Sequence, residues 1–359
     1  MSSVVFIDNS TYASVDRNDL TLQYASTVTV NLIATPLNLL TFYLVLTQSK
    51  KEIVYFKYGL FLNQVTHYIT MLIWGSLAGF ALLHPFPAVY CLGPLKHLMD
   101  GFTAFMLWTF TFELFYVTGL WIHTLRLKVI CRPGKIFDLK TRTYAVIAVV
   151  LTVYVFVPMN LVVYSDYATR EEMVQFVSIH YPKNLKVFEN SGVYVSIHED
   201  VHQLFLKVLL FYLITGPALS SFFVLSTAYE VHHQPHMHGS KSFDERRALT
   251  NQLARHLLFT TLFMSIGCLL LFVCVFCSPD ADTRPVRVIG NTMFCGASIP
   301  GQLMLIHRGK YYRTRVIEML RLRRRAVHPE DVKRAHRPSV KSLSEEEETD
   351  RPALVSDQI

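Results

Sequence analysis

The sequence has little charge and few of the groupings that enzymes use. Asp, Glu, Lys and Arg together make up only 17% of its 359 residues, whereas a soluble domain carries roughly 25%. It contains no glycine-rich phosphate loop, no nucleophile elbow and no paired carboxylates. The residues therefore give no support to an enzyme, and no cofactor is expected.

Metal-ligating patterns are missing as well. The six cysteines show no metal-ligand spacing, and Cys274 and Cys277 lie in an apolar run, where thiols pack as small hydrophobic groups. The stretch HHQPHMH, His232–His238, is rich in imidazole. Pro235 breaks any regular helix there, however, and no cysteine pair completes a site. We interpret the stretch as a solvated loop and predict no metal site.

Long apolar runs dominate the sequence, and its mean hydropathy is +0.30. A bilayer core about 30 Å thick needs about 20 apolar residues in a helix. Seven segments meet that length, and they are apolar nearly all round rather than along one stripe. We therefore predict an all-α membrane protein with seven spans. The predicted spans are Leu22–Thr47, Tyr58–Leu83, Gly101–Ile122, Tyr144–Tyr164, Leu204–Tyr229, Leu257–Cys277 and Val288–Ile306.

Basic residues predict the orientation of these spans. Of the 34 Lys and Arg residues, 26 fall on one side of the bundle, 7 fall on the other, and Lys207 lies in the fifth span. Because positive charge stays cytoplasmic, the N-terminus is predicted outside and the C-terminus inside. Residues 1–20 lack the basic start and apolar stretch of a cleaved signal peptide, so we expect the first span to direct insertion.

Two features fall on the predicted outer side. Asn9 lies in the sequon Asn-Ser-Thr and is predicted to be glycosylated. Cys91 and Cys277 both lie near the outer face, where a disulfide is chemically permitted. The sequence leaves open whether these two cysteines pair.

A basic segment follows the last span. IHRGKYYRTRVIEMLRLRRR, Ile306–Arg325, holds eight Lys and Arg residues, which suits either nucleic acid or a lipid surface. The apolar residues that recur in it at helical spacing are Tyr312, Val316, Met319 and Leu320. After an uncharged span, this pattern favours an amphipathic helix on anionic inner-leaflet lipid over a nucleic-acid arm. A plain stop-transfer charge cluster is the alternative.

The tail beyond this helix is expected to be disordered. It contains SVKSLSEEEETD, which has low hydrophobicity and four consecutive glutamates. Ser342 and Ser344 each precede a glutamate by three residues, which suits an acid-directed kinase, and phosphate there would form a docking charge for an arrestin. A solvated tail that merely offsets the arginines before it is the alternative. The predicted parts of the chain are an extracellular segment (1–21), the bundle (22–307), the juxtamembrane helix (308–325) and the cytoplasmic tail (326–359).

Glu113 is the most informative polar residue in the spans. It falls near the middle of the third span, where an unpaired charge costs at least about 2.5 kcal/mol. His67 in the second span lies at a similar depth by helix rise. We therefore predict that the two form one buried polar unit that tunes activation or anchors a ligand, with a purely structural hydrogen bond as the alternative. The aromatic residues that would line an apolar pocket nearby are Trp74, Trp108 and Phe110.

Seven spans, an outside N-terminus and a basic juxtamembrane helix resemble a G-protein-coupled receptor. Three stretches are similar to the nematode serpentine chemoreceptors, in particular the Srh and Sri groups. In Ala34–Ile69 a proline-bearing span with a Tyr-containing end is followed by a short loop and a lysine that leads into the next span. LLHPFPAVYCLGPL, Leu82–Leu95, resembles the proline-rich first outer loop. MLIHRGKYYRTRVIEML, Met304–Leu320, resembles the exit of the seventh span, with a Tyr-Arg pair at Tyr312 and Arg313. The resemblance covers residues 25–320.

Some receptor motifs are absent. The third span ends in GLWIHTLRLKV, without the Asp-Arg-Tyr of rhodopsin-like receptors or the Glu-Asn-Arg frequent in Srh proteins. No Asn-Pro-x-x-Tyr closes the seventh span, and the loop 165–203 has no cysteine for the familiar bridge to the third span. The resemblance therefore does not fix the contacts used in activation.

The resemblance implies a chemosensory receptor in the plasma membrane, with the sensory-neuron cilium as an expected location. A small-molecule or peptide ligand would enter the bundle from outside and bias two helix arrangements, and the cytoplasmic ends would recruit a heterotrimeric G protein. The basic residues expected at that contact are Arg126, Arg246, Arg247 and Arg255.

Two other classes of membrane protein are alternatives. A transporter is the first, although the two halves of the chain show no self-similarity of the kind that many transporters have. A ligand-gated channel built from seven-span subunits is the second, although no span carries a polar stripe that would line a pore.

Overall fold

The structure, a computed structural model, describes residues 17–48, 54–83, 86–131, 134–233, 258–274, 276–277, 281–308 and 313–319. The helices in this part of the chain are α1 (Arg17–Gln48), α2 (Val54–Leu72), α3 (Gly101–Ile130), α4 (Thr141–Ser165), α5 (Arg170–His180), α6 (Leu185–Phe188), α7 (Glu199–His232), α8 (Leu258–Cys274), α9 (Arg284–Cys295) and α10 (Ser298–Arg308). A short helix also covers 313–319.

Seven helical segments overlap the seven predicted spans, so the prediction of an all-α membrane bundle is confirmed. They are α1, α2, α3, α4, α7, α8 and the pair α9–α10. Among the described helices, α1, α3, α4 and α7 are each long and apolar enough to cross a membrane, and α8 is a shorter apolar helix. We call the end at which α1 and α3 begin the sheet end, and the end at which α3 stops the tail end. The side of the membrane that each end faces stays a prediction.

A small antiparallel sheet, which the hydropathy does not predict, lies at the sheet end. Its strands are β1 (Phe80–Leu82), β2 (Ala88–Cys91) and β3 (Val193–Val195), paired in the order β1-β2-β3. Ala81 lies opposite Tyr90, and Val89 lies opposite Tyr194. The sheet joins the loop after α2 to the loop before α7. Both loops therefore pack as one layer on the end of the bundle.

The second predicted span runs too far, because the helix stops before Leu83. α2 passes into a π-helical turn, Ile73–Leu77, and Gly79 then has φ +58°. This left-handed conformation favours glycine, and a Cβ atom there would lie 2.4 Å from Cε2 of Tyr24. The chain turns at Gly79, and the next residues form β1 instead of helix.

The seventh predicted span is two helices rather than one. α9 ends at Cys295 and α10 begins at Ser298. Beside this break, Nδ2 of Asn38 on α1 donates to Oγ of Ser298 at 3.3 Å, and Gln302 on α10 donates to Oδ1 of Asn38. Polar side chains thus link α1 to α10 next to the interruption.

α3 lies at the centre of the bundle and packs against α2, α4 and α7. Its N-cap is Asp100, whose Oδ1 accepts a 2.7 Å hydrogen bond from the backbone N–H of Thr103. Toward the sheet end, Phe105 and Trp108 join a large hydrophobic cluster that includes residues of all three strands. Toward the tail end, Leu120 joins a second cluster with α4 and α7. Both halves of the core are therefore organised on α3.

α8 and α9 approach each other closely at a glycine. A Cβ atom added to Gly267 would lie 2.7 Å from the backbone nitrogen of Phe294 and 3.0 Å from the carbonyl oxygen of Gly290. These neighbours are backbone atoms, which cannot rotate away as a side chain can. Only glycine fits here without moving the helices apart.

We predict that Gly267→Ala lowers the thermal unfolding midpoint of the purified receptor, because over-packing of a core costs about 1–3 kcal/mol. Gly59→Ala is the matched control: the added methyl group would make an ordinary contact of 3.5 Å with Cγ1 of Ile122. Alanine is also the better helix former, so this control should keep or raise the midpoint. Equal midpoints for the two variants would contradict the close approach.

Candidate functional site

Glu113 is buried on α3, with 1% of its surface exposed. Its Oε2 accepts a 2.6 Å hydrogen bond from Nδ2 of Asn160 on α4. The same Nδ2 donates at 2.8 Å to the carbonyl oxygen of Phe156, one turn earlier on α4. Within the described residues, Oε1 of Glu113 has no hydrogen-bond partner. The carboxyl group thus ties α3 to α4 and has one oxygen left for another donor.

The structure corrects the predicted pair of Glu113 and His67. The ring of His67 on α2 stacks on Phe115, with 4.4 Å between the ring centroids. Phe115 follows Glu113 by two residues, which is about 200° around the helix axis. Similar depth suggested the pair, but the rotation of α3 turns Glu113 toward α4. The hydrogen-bond partner of Glu113 is Asn160, which the sequence analysis did not identify. The sequence did offer one indication, because Asn160 is an amide side chain within the apolar fourth span, and such side chains bond to neighbouring helices.

A second polar contact lies close by, at Pro158 of α4. Proline has no N–H, so the carbonyl group of Tyr154, four residues earlier, loses its helical partner. The hydroxyl group of Tyr212 on α7 donates to this carbonyl oxygen at 2.9 Å and to that of Val155 at 3.0 Å. The proline position in α4 is therefore tied to α7, two residues from the amide that holds Glu113.

Aromatic rings form a buried cluster on the sheet side of Glu113. The ring centroids of Trp74 on α2 and Trp108 on α3 are 4.5 Å apart, and Phe294 of α9 lies 5.5 Å from Trp74. Nε1 of Trp74 donates to Oδ1 of Asn291 at 2.9 Å. Nε1 of Trp108 has no acceptor in the part of the chain that the structure describes. Both tryptophans belong to one cluster, and Trp108 retains a free donor.

Phe110 does not belong to this cluster. Its side chain is 48% exposed and packs against Phe156 of α4, with 5.8 Å between the ring centroids. An apolar ring on the outside of a membrane bundle faces lipid rather than a pocket. The prediction that Phe110 lines a pocket is therefore wrong. Phe110 follows Trp108 by two residues, and two helical positions turn its side chain about 200° around the axis of α3, away from the aromatic cluster.

Tyr194 of β3 holds the sheet against the aromatic cluster through a ring contact and a hydrogen bond. Its ring stacks on Phe105 of α3 with 5.4 Å between the centroids, and its hydroxyl group donates to Oδ2 of Asp166 at the end of α4. Nδ1 of His198 lies 3.5 Å from the other oxygen, Oδ1. Burial raises the pKa of Asp166, and the hydrogen bond from Tyr194 opposes that rise. These contacts close the sheet end above the tryptophans.

A buried ion pair joins the first and last spans at the sheet end. Nη2 of Arg287 on α9 lies 2.8 Å from Oδ2 of Asp19 on α1, and Nη1 donates to the carbonyl oxygen of Leu82 at 2.7 Å. Nε2 of Gln23 donates to the same Asp19 oxygen at 3.0 Å. The seventh predicted span begins directly after Arg287, at Val288. The structure makes Arg287 the link between α1, α9 and β1.

All six cysteines are free thiols, so Cys91 and Cys277 do not form the disulfide that the sequence left open. Sγ of Cys91 donates to the carbonyl oxygen of Ala78 at 3.1 Å, and Sγ of Cys277 donates to that of Val273 at 3.4 Å. Burial raises the pKa of Cys91 to about 11. This thiol therefore stays protonated near neutral pH.

Arg126, which was expected to meet the G protein, is buried near the tail end of α3 with only 3% of its surface exposed. Its Nε and Nη1 have no hydrogen-bond partner among the residues described. Burying a cation is costly unless it is paired, and at 3% exposure a protein partner cannot reach the side chain in this arrangement. The tail end would have to open before Arg126 could take part in such a contact.

Several predicted sites lie outside the described residues. They are Arg246, Arg247, Arg255, the sequon residue Asn9, the tail serines Ser342 and Ser344, and most of the histidine-rich stretch. Of the juxtamembrane helix, residues 313–319 are described and are helical, with an ion pair of 2.7 Å between Nη1 of Arg315 and Oε2 of Glu318.

The contact between Glu113 and Asn160 predicts a coupling in stability. Glu113→Leu and Asn160→Leu should each destabilise the bundle, and the double variant should lose less than their sum by about 0.6–1.7 kcal/mol, the range for polar contacts between membrane helices. Unfolding of the purified receptor in a denaturing-detergent titration measures the free energies. His67→Leu combined with Glu113→Leu is the control and should show a smaller coupling than Asn160→Leu does, because His67 makes no hydrogen bond to Glu113 in the part of the chain that the structure describes. A larger coupling with His67 than with Asn160 would refute this assignment.

The chain matches one family along most of its length. The family model described as serpentine type 7TM GPCR chemoreceptor Sri matches residues 20–316. No match was found among curated proteins or solved structures. The matched range includes the seven helical segments apart from the first three residues of α1, and it includes the aromatic cluster and Glu113. The chain therefore belongs to the serpentine type 7TM GPCR chemoreceptor family Sri.

Proposed function

We propose that this multi-pass membrane chemoreceptor binds a small external ligand inside its bundle and signals through a heterotrimeric G protein. The family is one of chemoreceptors and not of enzymes. The observation that supports the ligand site best is the buried carboxyl group of Glu113, whose Oε1 has no partner among the described residues. Ionisable groups inside a membrane are expensive, and they commonly mark functional sites.

A ligand beside α3 would find both an acceptor and a donor. Oε1 of Glu113 can accept a hydrogen bond and Nε1 of Trp108 can donate one. The two residues are five positions apart, which is about 7.5 Å of helix rise and about 140° of rotation around the helix axis. The rings of Trp74 and Phe294 supply apolar surface beside Trp108. Mostly apolar walls with a few polar groups suit a small organic molecule better than a long peptide.

His67 is proposed to act on this site indirectly. Its ring stacks on Phe115, so a change at His67 would reach Glu113 through the position of α3. A ligand shifts a conformational equilibrium only by its difference in affinity for the two states. A hydrogen bond from the ligand to Glu113 would compete with or add to the one from Asn160. We propose that this exchange changes how α3 packs on α4.

The tail end is the proposed G-protein side. Arg126 is buried in the present arrangement, so its exposure would distinguish a signalling arrangement from a resting one. Further proposed contacts are Arg246, Arg247 and Arg255.

We also propose that the juxtamembrane helix, 308–325, lies on anionic inner-leaflet lipid. An arrestin would dock on a tail phosphorylated at Ser342 and Ser344, and the receptor would reside in the plasma membrane, including the sensory cilium.

The ligand site is tested by paired substitutions on α3. In cells that carry a G-protein reporter and are screened with volatile and water-soluble mixtures, Trp108→Ala should weaken the potency of an active compound about tenfold, which corresponds to about 1.4 kcal/mol. Phe110→Ala, on the lipid-facing side of the same helix, is the matched control and should leave potency unchanged. Surface expression of both variants is measured alongside. Equal loss of potency in the two variants would count against a site in the bundle.

The same cells separate the receptor from its rivals. Ion currents evoked by the active mixture without a G-protein response would indicate a channel. Uptake of a compound coupled to an ion gradient would indicate a transporter. A reporter response that disappears when the G protein is inactivated supports the receptor.

Orientation is tested at Asn9. If the N-terminus lies outside, Asn9→Gln should remove a glycosidase-sensitive shift in mass, because only a lumenal or external sequon receives glycan. An epitope tag at residue 2 should stain intact cells, and a tag at the C-terminus should stain only after permeabilisation. The reverse staining pattern would overturn the orientation.

A further inference from the structure

A cavity of about 30 Å³ lies between α2, α3, α7 and α8. It is on the tail side of Glu113, away from the aromatic cluster. The polar residues that line it are Asn63, Tyr116, His123, Ser220, Thr260 and Thr261. These polar groups interrupt a wall that is otherwise mostly apolar, with Phe115, Leu120 and Met264 among its members.

Three of these residues have a buried polar atom that lacks a hydrogen bond within the described ranges. They are Tyr116 and His123 on α3 and Thr260 on α8, with the hydroxyl oxygen, Nδ1 and Oγ1, respectively, left without a partner. His123 is 3% exposed and Thr260 is 4% exposed. A buried donor or acceptor without a partner bears the full cost of leaving water. The cavity that these residues line is the place from which a missing partner would come.

Size and chemistry select water as that partner. A water molecule needs about 10–15 Å³ of such a cavity, so about two fit. A hydrocarbon ligand would leave the unpartnered polar atoms of Tyr116, His123 and Thr260 without a hydrogen bond, whereas water can bond to them. A cation is disfavoured because no carboxylate belongs to the lining. The guanidinium group of Arg126 also follows His123 by three positions on the same side of α3.

We propose that about two ordered water molecules occupy this cavity and bridge His123 on α3 to Thr260 on α8. Each water would make hydrogen bonds to at least one of the three unpartnered atoms and to the neighbouring hydroxyl or amide groups. Water-mediated bonds of this kind are nearly as favourable in enthalpy as direct ones.

The proposed water bridge would add a polar contact between α8 and the rest of the bundle. Among the described side chains of α8, Sγ of Cys274 donates within the helix, to Leu270, and no direct hydrogen bond to another helix is made. α8 otherwise packs through apolar side chains such as Met264 and Leu271, and through Gly267 against α9. The waters are thus the polar link between α8 and α3. Loss of the waters would leave α8 with apolar contacts alone.

Radiolytic hydroxyl-radical footprinting of the full-length receptor in nanodiscs tests this site, because radicals formed from a bound water oxidise the side chains next to it. Met264 lines the cavity and is 3% exposed; Met71 is 2% exposed and lies away from it. If the waters are present, oxidation of Met264 should exceed that of Met71 several-fold, although both are closed to bulk solvent. Equal, low oxidation of the two methionines would show a dry cavity and overturn the proposal.

A substitution tests the bridge itself. Thr260→Val keeps the shape of the side chain and removes the hydroxyl group, so it should reduce oxidation of Met264 several-fold. The control is Thr109→Val on α3: Thr109 is equally buried but bonds to the carbonyl oxygen of Phe105, and its loss should leave Met264 oxidation unchanged. If Met264 oxidation is the same in Thr260→Val as in the unsubstituted receptor, Thr260 does not hold the waters. Should Thr260→Val fail to fold, the comparison of Met264 with Met71 in the unsubstituted receptor still decides the matter.

Discussion

Hydrogen bonds from side chains to the backbone of a neighbouring helix hold this bundle in register, because hydrocarbon offers polar groups no other partner. Oγ1 of Thr27 on α1 donates to the carbonyl oxygen of Gly75 in the π-helical turn at 2.7 Å. Nδ2 of Asn63 on α2 donates to that of Phe115 on α3 at 2.9 Å. Tyr212 does the same for the carbonyl group freed by the proline of α4. A rotation of any of these helices would break such a bond in an environment where nothing replaces it.

The geometry of the candidate site follows from this constraint. α3 is fixed on one side by Asn63 and on another by Asn160, so the rotation that brings Glu113 to α4 is set by bonds on both sides of it. Within the described residues, the carboxyl group keeps one unbonded oxygen and Trp108 keeps one unbonded N–H. Unsatisfied polar atoms in hydrocarbon carry a free-energy cost that a ligand can relieve. The proposed ligand site therefore lies beside the contacts that fix α3.

The seven spans and the family could be read from the sequence because apolarity is a property of each segment alone. The burial of Glu113 was predictable for the same reason. The hydrogen-bond partner of Glu113 was not predictable. The depth of a residue in the membrane follows from its position along the helix. The direction of its side chain changes by about 100° per residue, and tertiary contacts alone fix which neighbouring helix it faces. The rotation of α3 about its axis directs Glu113 to Asn160 instead of His67, and it directs Phe110 to the outside of the bundle. The sheet was equally hidden, since its short strands pair residues as distant as Val89 and Tyr194. The break between α9 and α10 lies beside Asn38 of α1, which is remote in sequence.

Nucleotide exchange in a defined system tests the central claim most directly. The purified receptor is placed in nanodiscs with a purified heterotrimeric G protein, and uptake of a GTP analogue is followed after addition of the fractionated volatile and water-soluble mixtures. The account predicts that at least one fraction speeds exchange with the unsubstituted receptor and fails to do so with Glu113→Leu, while Phe110→Ala responds normally. Exchange that responds equally with Glu113→Leu would contradict a ligand site built on Glu113.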